Sequence, residues 1–257
     1  MKRQKTIPLT LLTLLLLLCT NTLFTSCDNS KSTKNKQSKF KAGQIFTYKN
    51  IYYKIIDPIN KCVEVTKGKK KYNGEVVIPS TSECLNEKFT TTAIGDYTFS
   101  MSNITNVTIP GSVTTIGKSA FASSNITSIT IPNSVTTIEE NAFLGCSKLK
   151  SIEIGSSVTK IGKNAFADLI GSSTETRTTS TTKNGKEETK TTKSNVIWHT
   201  NVESMTSHIP AEKLFEVDNS VFGADPKKCT LYVPKGTKEK YKNTEGWKKF
   251  KKIKEIL

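Results

Sequence analysis

The chain has 257 residues, 35% of them hydrophobic and 23% charged, and a formal net charge of +16. Such a composition can build one or two packed units and excludes a chain too polar to fold. The charge favours anionic partners such as acidic glycans, polyanionic glycoproteins or lipid headgroups.

At the N-terminus, Lys2, Arg3 and Lys5 precede an uncharged apolar run from Leu9 to Leu18. A membrane-spanning helix needs roughly 20 apolar residues, and this run is shorter and broken by Thr10 and Thr13. Residues 1–26 therefore read as a secretory signal, whose loss removes three cations and no anions and leaves +13. The run ends in LFTSC, residues 23–27, which resembles the lipobox of bacterial lipoproteins. That resemblance implies cleavage before Cys27 and acylation of its thiol, hence a lipid-anchored protein of the bacterial cell envelope, at the outer membrane or cell surface. Cys19 is the competitor, but bulky Leu18 precedes it. Residues 27–40, mostly Asp, Asn, Ser, Thr, Gln and Lys, read as a disordered tether. Cys62, Cys84, Cys146 and Cys229 remain; an exported compartment permits disulfides, but no regular framework is present and free thiols are expected, with Cys146 a small buried hydrophobe.

Further along, the chain repeats itself. Residues 104–125, 126–148 and 149–169 share one frame: Ile109, Ile131 and Ile154 lie 22 and 23 apart, and Phe121, Phe143 and Phe166 each follow by 12. Within a unit the alternation of SITI predicts a short strand, which Pro132 closes. Burial of one unit's apolar residues cannot offset the entropy of ordering it, so neighbours must stack. The pattern ITSITIPNSVTTIEENAFLGCSKL resembles the BspA-like leucine-rich repeat family of bacterial surface proteins. It departs at Glu139, where the family has the glycine seen at Gly95, Gly117 and Gly162, and at Gly155, which replaces the proline. Both departures suggest imperfect curvature.

The resemblance implies a repeat solenoid, a right-handed superhelix of short parallel strands, β-rich with little helix. Residues 41–75 look like its N-terminal β cap, 76–234 like the repeats, and 235–257 like a short helical C-terminal cap with Tyr241, Trp247, Phe250 and Ile253 as cover. VVIPS at 76–80 with IGDYTF at 94–99 reads as a first turn carrying an insertion. VESM at 202–205 and Phe222 read as a degenerate turn, and LYVP at 231–234 as a further one. A polar insertion at about 170–196 interrupts the array, either as a hairpin about Asn184-Gly185 or as a disordered loop.

Chemistry is sparse. His199 and His208 lack metal-ligand spacing, no G-x-S-x-G elbow is present, and Glu139, Glu140 and Glu153 read as solvated faces. Neither a cofactor nor catalysis is expected. Outward-facing strand residues form a candidate binding ladder of Asn106, Thr108, Ser128, Thr130, Ser151 and Glu153. Lys248, Lys249, Lys251, Lys252 and Lys254 form a candidate anionic-ligand patch. The family resemblance implies a surface adhesin for a protein or glycan ligand, such as a host matrix glycoprotein or an anionic glycan, held to the membrane by its lipid. The alternative is an assembly lipoprotein that contacts another envelope protein. Nucleic acid fits the charge alone and is not expected.

Overall fold

The computed structural model describes residues 39–168, 178–183, 186–191, 202–223, 226 and 228–257. Signal, Cys27, most of the tether and His199 lie outside them.

Each repeat folds alike because its residue alternation is the same. In β9 (Ser128–Ile131), Ile129 and Ile131 are buried while Ser128 and Thr130 are exposed. Pro132 ends the strand by offering no further ladder donor. The chain then turns into the two-residue β10 (Thr137–Ile138), where Ile138 is buried. The same path gives β7 (Asn103–Thr108) with β8 (Thr115–Ile116), and β11 (Ser151–Ile154) with β12 (Lys160–Ile161). Stacked copies pair in parallel: β8, β10 and β12 in one sheet, β9 and β11 in another. Backbone bonds repeat with the turns. Thr114, Thr136 and Thr159 N–H groups donate to the carbonyls of Thr92, Thr114 and Thr136 at 2.8, 2.9 and 2.9 Å.

The first turn begins with β4 (Asn73–Val77), parallel to β7. Its insertion is an antiparallel pair, β5 (Thr81–Cys84) and β6 (Glu87–Ile94), and Ala93 and Ile94 at the end of β6 pair with β8. Beyond the polar insertion, β15 (Ser204–Ser207) pairs with β11, β16 (Thr230–Val233) with β15, and β17 (Lys252–Glu255) with β16, all in parallel. The result is a β-solenoid with little helix; α1 spans only Lys238–Asn243. In the polar insertion, β13 (Thr178–Lys183) and β14 (Lys186–Thr191) pair antiparallel with Lys183 opposite Lys186, the hairpin alternative. Asn184 and Gly185 themselves lie outside the described residues.

A column of aromatic rings runs through the core. Phe99, Phe121, Phe143, Phe166 and Phe222 stack with centroids 5.1, 5.0, 5.3 and 6.1 Å apart and interplanar angles of 20° or less. Tyr72 closes one end, tilted 57° against Phe99. Trp247 and Phe250 close the other, at 53° and 68° to Phe222. Beyond Tyr72, the antiparallel meander of β1 (Ile45–Tyr48), β2 (Ile51–Asp57) and β3 (Cys62–Val65) covers the open face. Phe40, placed by the sequence at the end of the tether, is instead buried and meets Phe89 edge-on at 5.0 Å.

Glycine is needed where turns approach closely. A Cβ on Gly117 would lie 2.8 Å from the Asp96 nitrogen, and one on Gly162 would overlap the Glu140 backbone. Glu139 keeps the ladder bond that glycine makes in the neighbouring turns. Its N–H donates to the Ile116 carbonyl at 2.9 Å, against 2.8 Å for Gly117 to Ile94 and for Gly162 to Ile138, and its carboxylate pairs with Lys160 at 2.8 Å.

Cys84, Cys146 and Cys229 are free thiols. Cys62 is disulfide-bonded, which corrects the expectation of four free thiols. Spacing could not show it, because a disulfide needs only that the fold bring two Cα atoms within reach.

A candidate binding face across the parallel strands

Because side chains alternate across a strand, the parallel register of β9, β11, β15, β16 and β17 fixes which residues share an outer row. One row runs Ser128, Ser151, Ser204, Thr230 and Lys252; the next runs Thr130, Glu153, Thr206, Tyr232 and Lys254. Between them the inward row of Ile129, Ile152, Met205, Leu231 and Ile253 is buried. Asn106 and Thr108 are exposed on β7, the strand before β9 in the stack. At ~4.8 Å per strand the five-strand rows extend about 19 Å.

The two candidate sites named from sequence thus meet. Lys252 and Lys254 are not on a helix but on β17, where they continue the two rows begun by Ser128 and Thr130. The other three lysines of the patch are separate: Lys248 pairs with Glu245, Lys249 donates to the Asn219 carbonyl, and Lys251 precedes the strand. Thr206, Tyr232 and His208 were missed. The signal for Thr206 and Tyr232 was present in the alternation of SMTS and TLYV, but these segments lack the repeat's isoleucines.

Glu153 is the chemical centre of the face. Its carboxylate accepts from the Thr130 hydroxyl at 3.3 Å and lies 2.8 Å from His208 Nε2. Side-chain exposures of 48% for Glu153 and 39% for His208 leave both open to a partner. Beside them is an open hollow of ≈ 600 Å³ lined by Thr130, Pro132, Asn133, Glu153, Ser156 and His208, among others. Gly155 helps to make it. Its Cβ would stand 2.6 Å from the Pro132 carbonyl oxygen, so the glycine that replaces the repeat's proline is required by the approach of the neighbouring turn.

This arrangement suits hydrogen bonding and ion pairing. A carboxylate, an imidazole and the Thr130 hydroxyl sit together on it. The buried thiols of Cys146 and Cys229 are pushed up to about 11 and about 12 by loss of solvent and stay protonated at neutral pH. Among the described residues no group of three or more His, Cys, Asp or Glu side chains could hold a metal ion, and no helix is long and apolar enough to cross a membrane.

Residues 83–189 match the BspA type leucine rich repeat region, in six copies. Within that span the turns are similar to BspA-type repeats, and the stacked strands continue beyond it at both ends. A search of curated proteins found no match. Among solved structures, a leucine-rich repeat protein from Bacteroides capillosus is 27% identical, with 48% of this chain and 89% of that one covered and a TM-score of 0.36. The T. pallidum leucine-rich repeat protein is 16% identical over 82% of this chain and 81% of its own, with a TM-score of 0.41. The pneumococcal vaccine antigen PcpA is 16% identical over 83% and 67%, with a TM-score of 0.38.

Proposed function

We propose that this chain is a lipid-anchored binding protein of the bacterial cell envelope that engages a protein or glycan through the outer face of its parallel strands, without catalysis. The observation that carries the reading is the register of β9, β11, β15, β16 and β17, which places hydroxyls, the Glu153 carboxylate, the Tyr232 phenol and two lysines in two continuous rows. A solenoid of BspA-type repeats offers extended surface and is generally a binding scaffold. BspA-like proteins are associated with bacterial surfaces, which supports an adhesin role. Acylation of Cys27 and the tether ahead of residue 41 complete it. The competing role, assembly with another envelope protein, uses the same face and differs only in the partner.

The test measures binding of the protein lacking residues 1–26, with Cys27→Ser, to immobilised matrix glycoproteins, mucins and sulfated glycans at low and physiological salt. Saturable binding at physiological salt that is lost in Glu153→Ala/Tyr232→Ala supports an adhesin. Binding that disappears with salt, or protection of the native protein from protease on intact cells, moves the assembly role to first place. Mass spectrometry of the exported chain checks the anchor: the peptide beginning at Cys27 should carry acyl chains, and an unmodified residue there removes the lipid from the proposal.

A further inference from the structure

The sequence directs attention to the lysines of the C-terminal end, but the more concentrated unpaired charge stands at the other end. Lys67, Lys69, Lys70 and Lys71 lie in the connection between β3 and β4, all exposed. Lys49 occupies the two-residue turn between β1 and β2, where Lys49 and Asn50 take φ of 47° and 62°, the left-handed pair that such a tight hairpin requires. Among the described residues none of these five ammonium groups has a carboxylate partner. Lys71 Nζ reaches only the Met101 carbonyl at 3.4 Å, and Lys49 Nζ lies 5.4 Å from the Tyr48 ring centre.

The connection is held in place. The Tyr72 hydroxyl donates to the Thr66 carbonyl at 2.8 Å and accepts from the Tyr52 N–H at 3.0 Å, closing the loop at its base. Gly68 lies flat against the Tyr52 ring, where any Cβ would overlap ring carbons. Between this loop, the Lys49-Asn50 turn and β4 is a hollow of ≈ 570 Å³. Lys49, Lys70, Lys71 and the amides of Asn50 and Asn73 line it, with Tyr52 at the wall and Glu75 the one acidic group in the lining.

We propose that this hollow binds a sulfated or phosphorylated sugar residue of an acidic glycan chain. Lysine ammoniums are compact point charges with three donors each, which bind phosphate and sulfate oxygens without a fixed planar geometry. The cavity is of the size that encloses a small ligand. Amide groups and a tyrosine ring match sugar hydroxyls and the apolar face of a pyranose. A concave site takes one residue of a polymer into it, which a planar membrane surface cannot supply. Fastening of the loop by Tyr52, Gly68 and Tyr72 means that little ordering is left to do on binding. This site is distinct from the strand face and stands or falls independently of it.

The experiment titrates the same soluble protein with a heparin-derived tetrasaccharide, its desulfated counterpart, inorganic sulfate and phosphatidylglycerol vesicles. The sulfated tetrasaccharide should bind saturably and the desulfated one should not. Lys70→Glu/Lys71→Glu, which replaces two of the three lining ammoniums by carboxylates, should weaken it at least about tenfold. Lys252→Glu/Lys254→Glu, at the other end, should leave it unchanged. Gly68→Ala, which keeps every charge but displaces the loop, should weaken it as well, with circular dichroism confirming the fold of each variant. Equal binding of the desulfated sugar, an effect of the C-terminal but not the N-terminal variant, or binding of vesicles alone overturns the proposal; competition by inorganic sulfate at the same concentration would reduce it to a simple anion site and overturn the sugar specificity.

Discussion

The middle of the solenoid and its two ends bury aromatic rings by different geometry. Phe121 and Phe143 are inclined by 3° and Phe143 and Phe166 by 9°, because a turn repeated at a constant offset brings like side chains into like positions. At the ends Tyr72, Trp247 and Phe250 lie across the column at 53° to 68°. A parallel ring would present another open face to solvent; a crossed ring covers the last one. Repetition builds the column, and only a break in repetition can end it.

The comparison can be broken most severely at the column. Phe143→Ala removes a fully enclosed ring between two stacked neighbours and should cost about 3–5 kcal/mol. Trp247→Ala removes a buried ring of the cap, with its Nε1 bond to the Phe215 carbonyl at 3.0 Å, yet only the turns beside it should loosen. Hydrogen exchange resolved by peptide separates the two cases. Loss of protection is expected throughout the array for Phe143→Ala and within residues 202–257 for Trp247→Ala. Uniform loss in the second case would mean that the cap and the repeats unfold as one unit. A smaller effect belongs to the glycine row. Gly162→Ala forces a Cβ onto the Glu140 backbone and should cost ~1–3 kcal/mol. Glu139→Gly, which restores the repeat pattern, removes one exposed ion pair and should change stability by no more than about 1 kcal/mol. Thermal denaturation of both variants checks the contrast.

That contrast also explains how much could be read from sequence. The strands of the central turns, the isoleucines that line them and the phenylalanine column are legible because each is written again after 22 or 23 residues. Tyr72 belongs to the same column but occupies no repeat position, so nothing in the sequence assigns it. Segment 252–255, Lys-Ile-Lys-Glu, alternates as a strand does, yet its charge drew it into a lysine patch. His208 reaches Glu153 across 55 residues of chain, a distance no local pattern spans. The outer rows were half legible for the same reason. Their serines and threonines on β9 and β11 followed from the repeat, while Thr206 and Tyr232 required the observed register.

Alkaline pH should test the buried groups of both regions. Burial pushes Cys146, in a central turn, up to about 11, and Tyr241, in the C-terminal cap, up to about 12 despite its bond with Ser207. The folded state holds these groups protonated after the unfolded chain has begun to ionise, so unfolding releases protons. Stability is therefore fully present below about pH 9 for the thiol, its ordinary value, and falls as pH rises toward 11. The melting temperature should drop as pH rises from about 9 toward about 11, and less steeply in Cys146→Ala. An equal slope in the variant would show that the thiol does not contribute.

The smallest expected effect concerns the corner that follows the glycine row. Tyr97, Ser119, Asn141 and Asn164 hold equivalent places in successive turns, with φ of 56°, 52°, 60° and 55°. Left-handed backbone costs an ordinary L-residue ~1–2 kcal/mol, and asparagine tolerates it best after glycine. The later turns carry asparagine; the first carries an exposed tyrosine, 49% accessible. Tyr97→Asn should therefore stabilise by roughly 0.5–1 kcal/mol, seen as a raised denaturation midpoint with an unchanged slope. A loss of stability would mean that the tyrosine ring contributes more by its contacts than its backbone strain costs, and that the first turn follows the rule of the ends and not that of the middle.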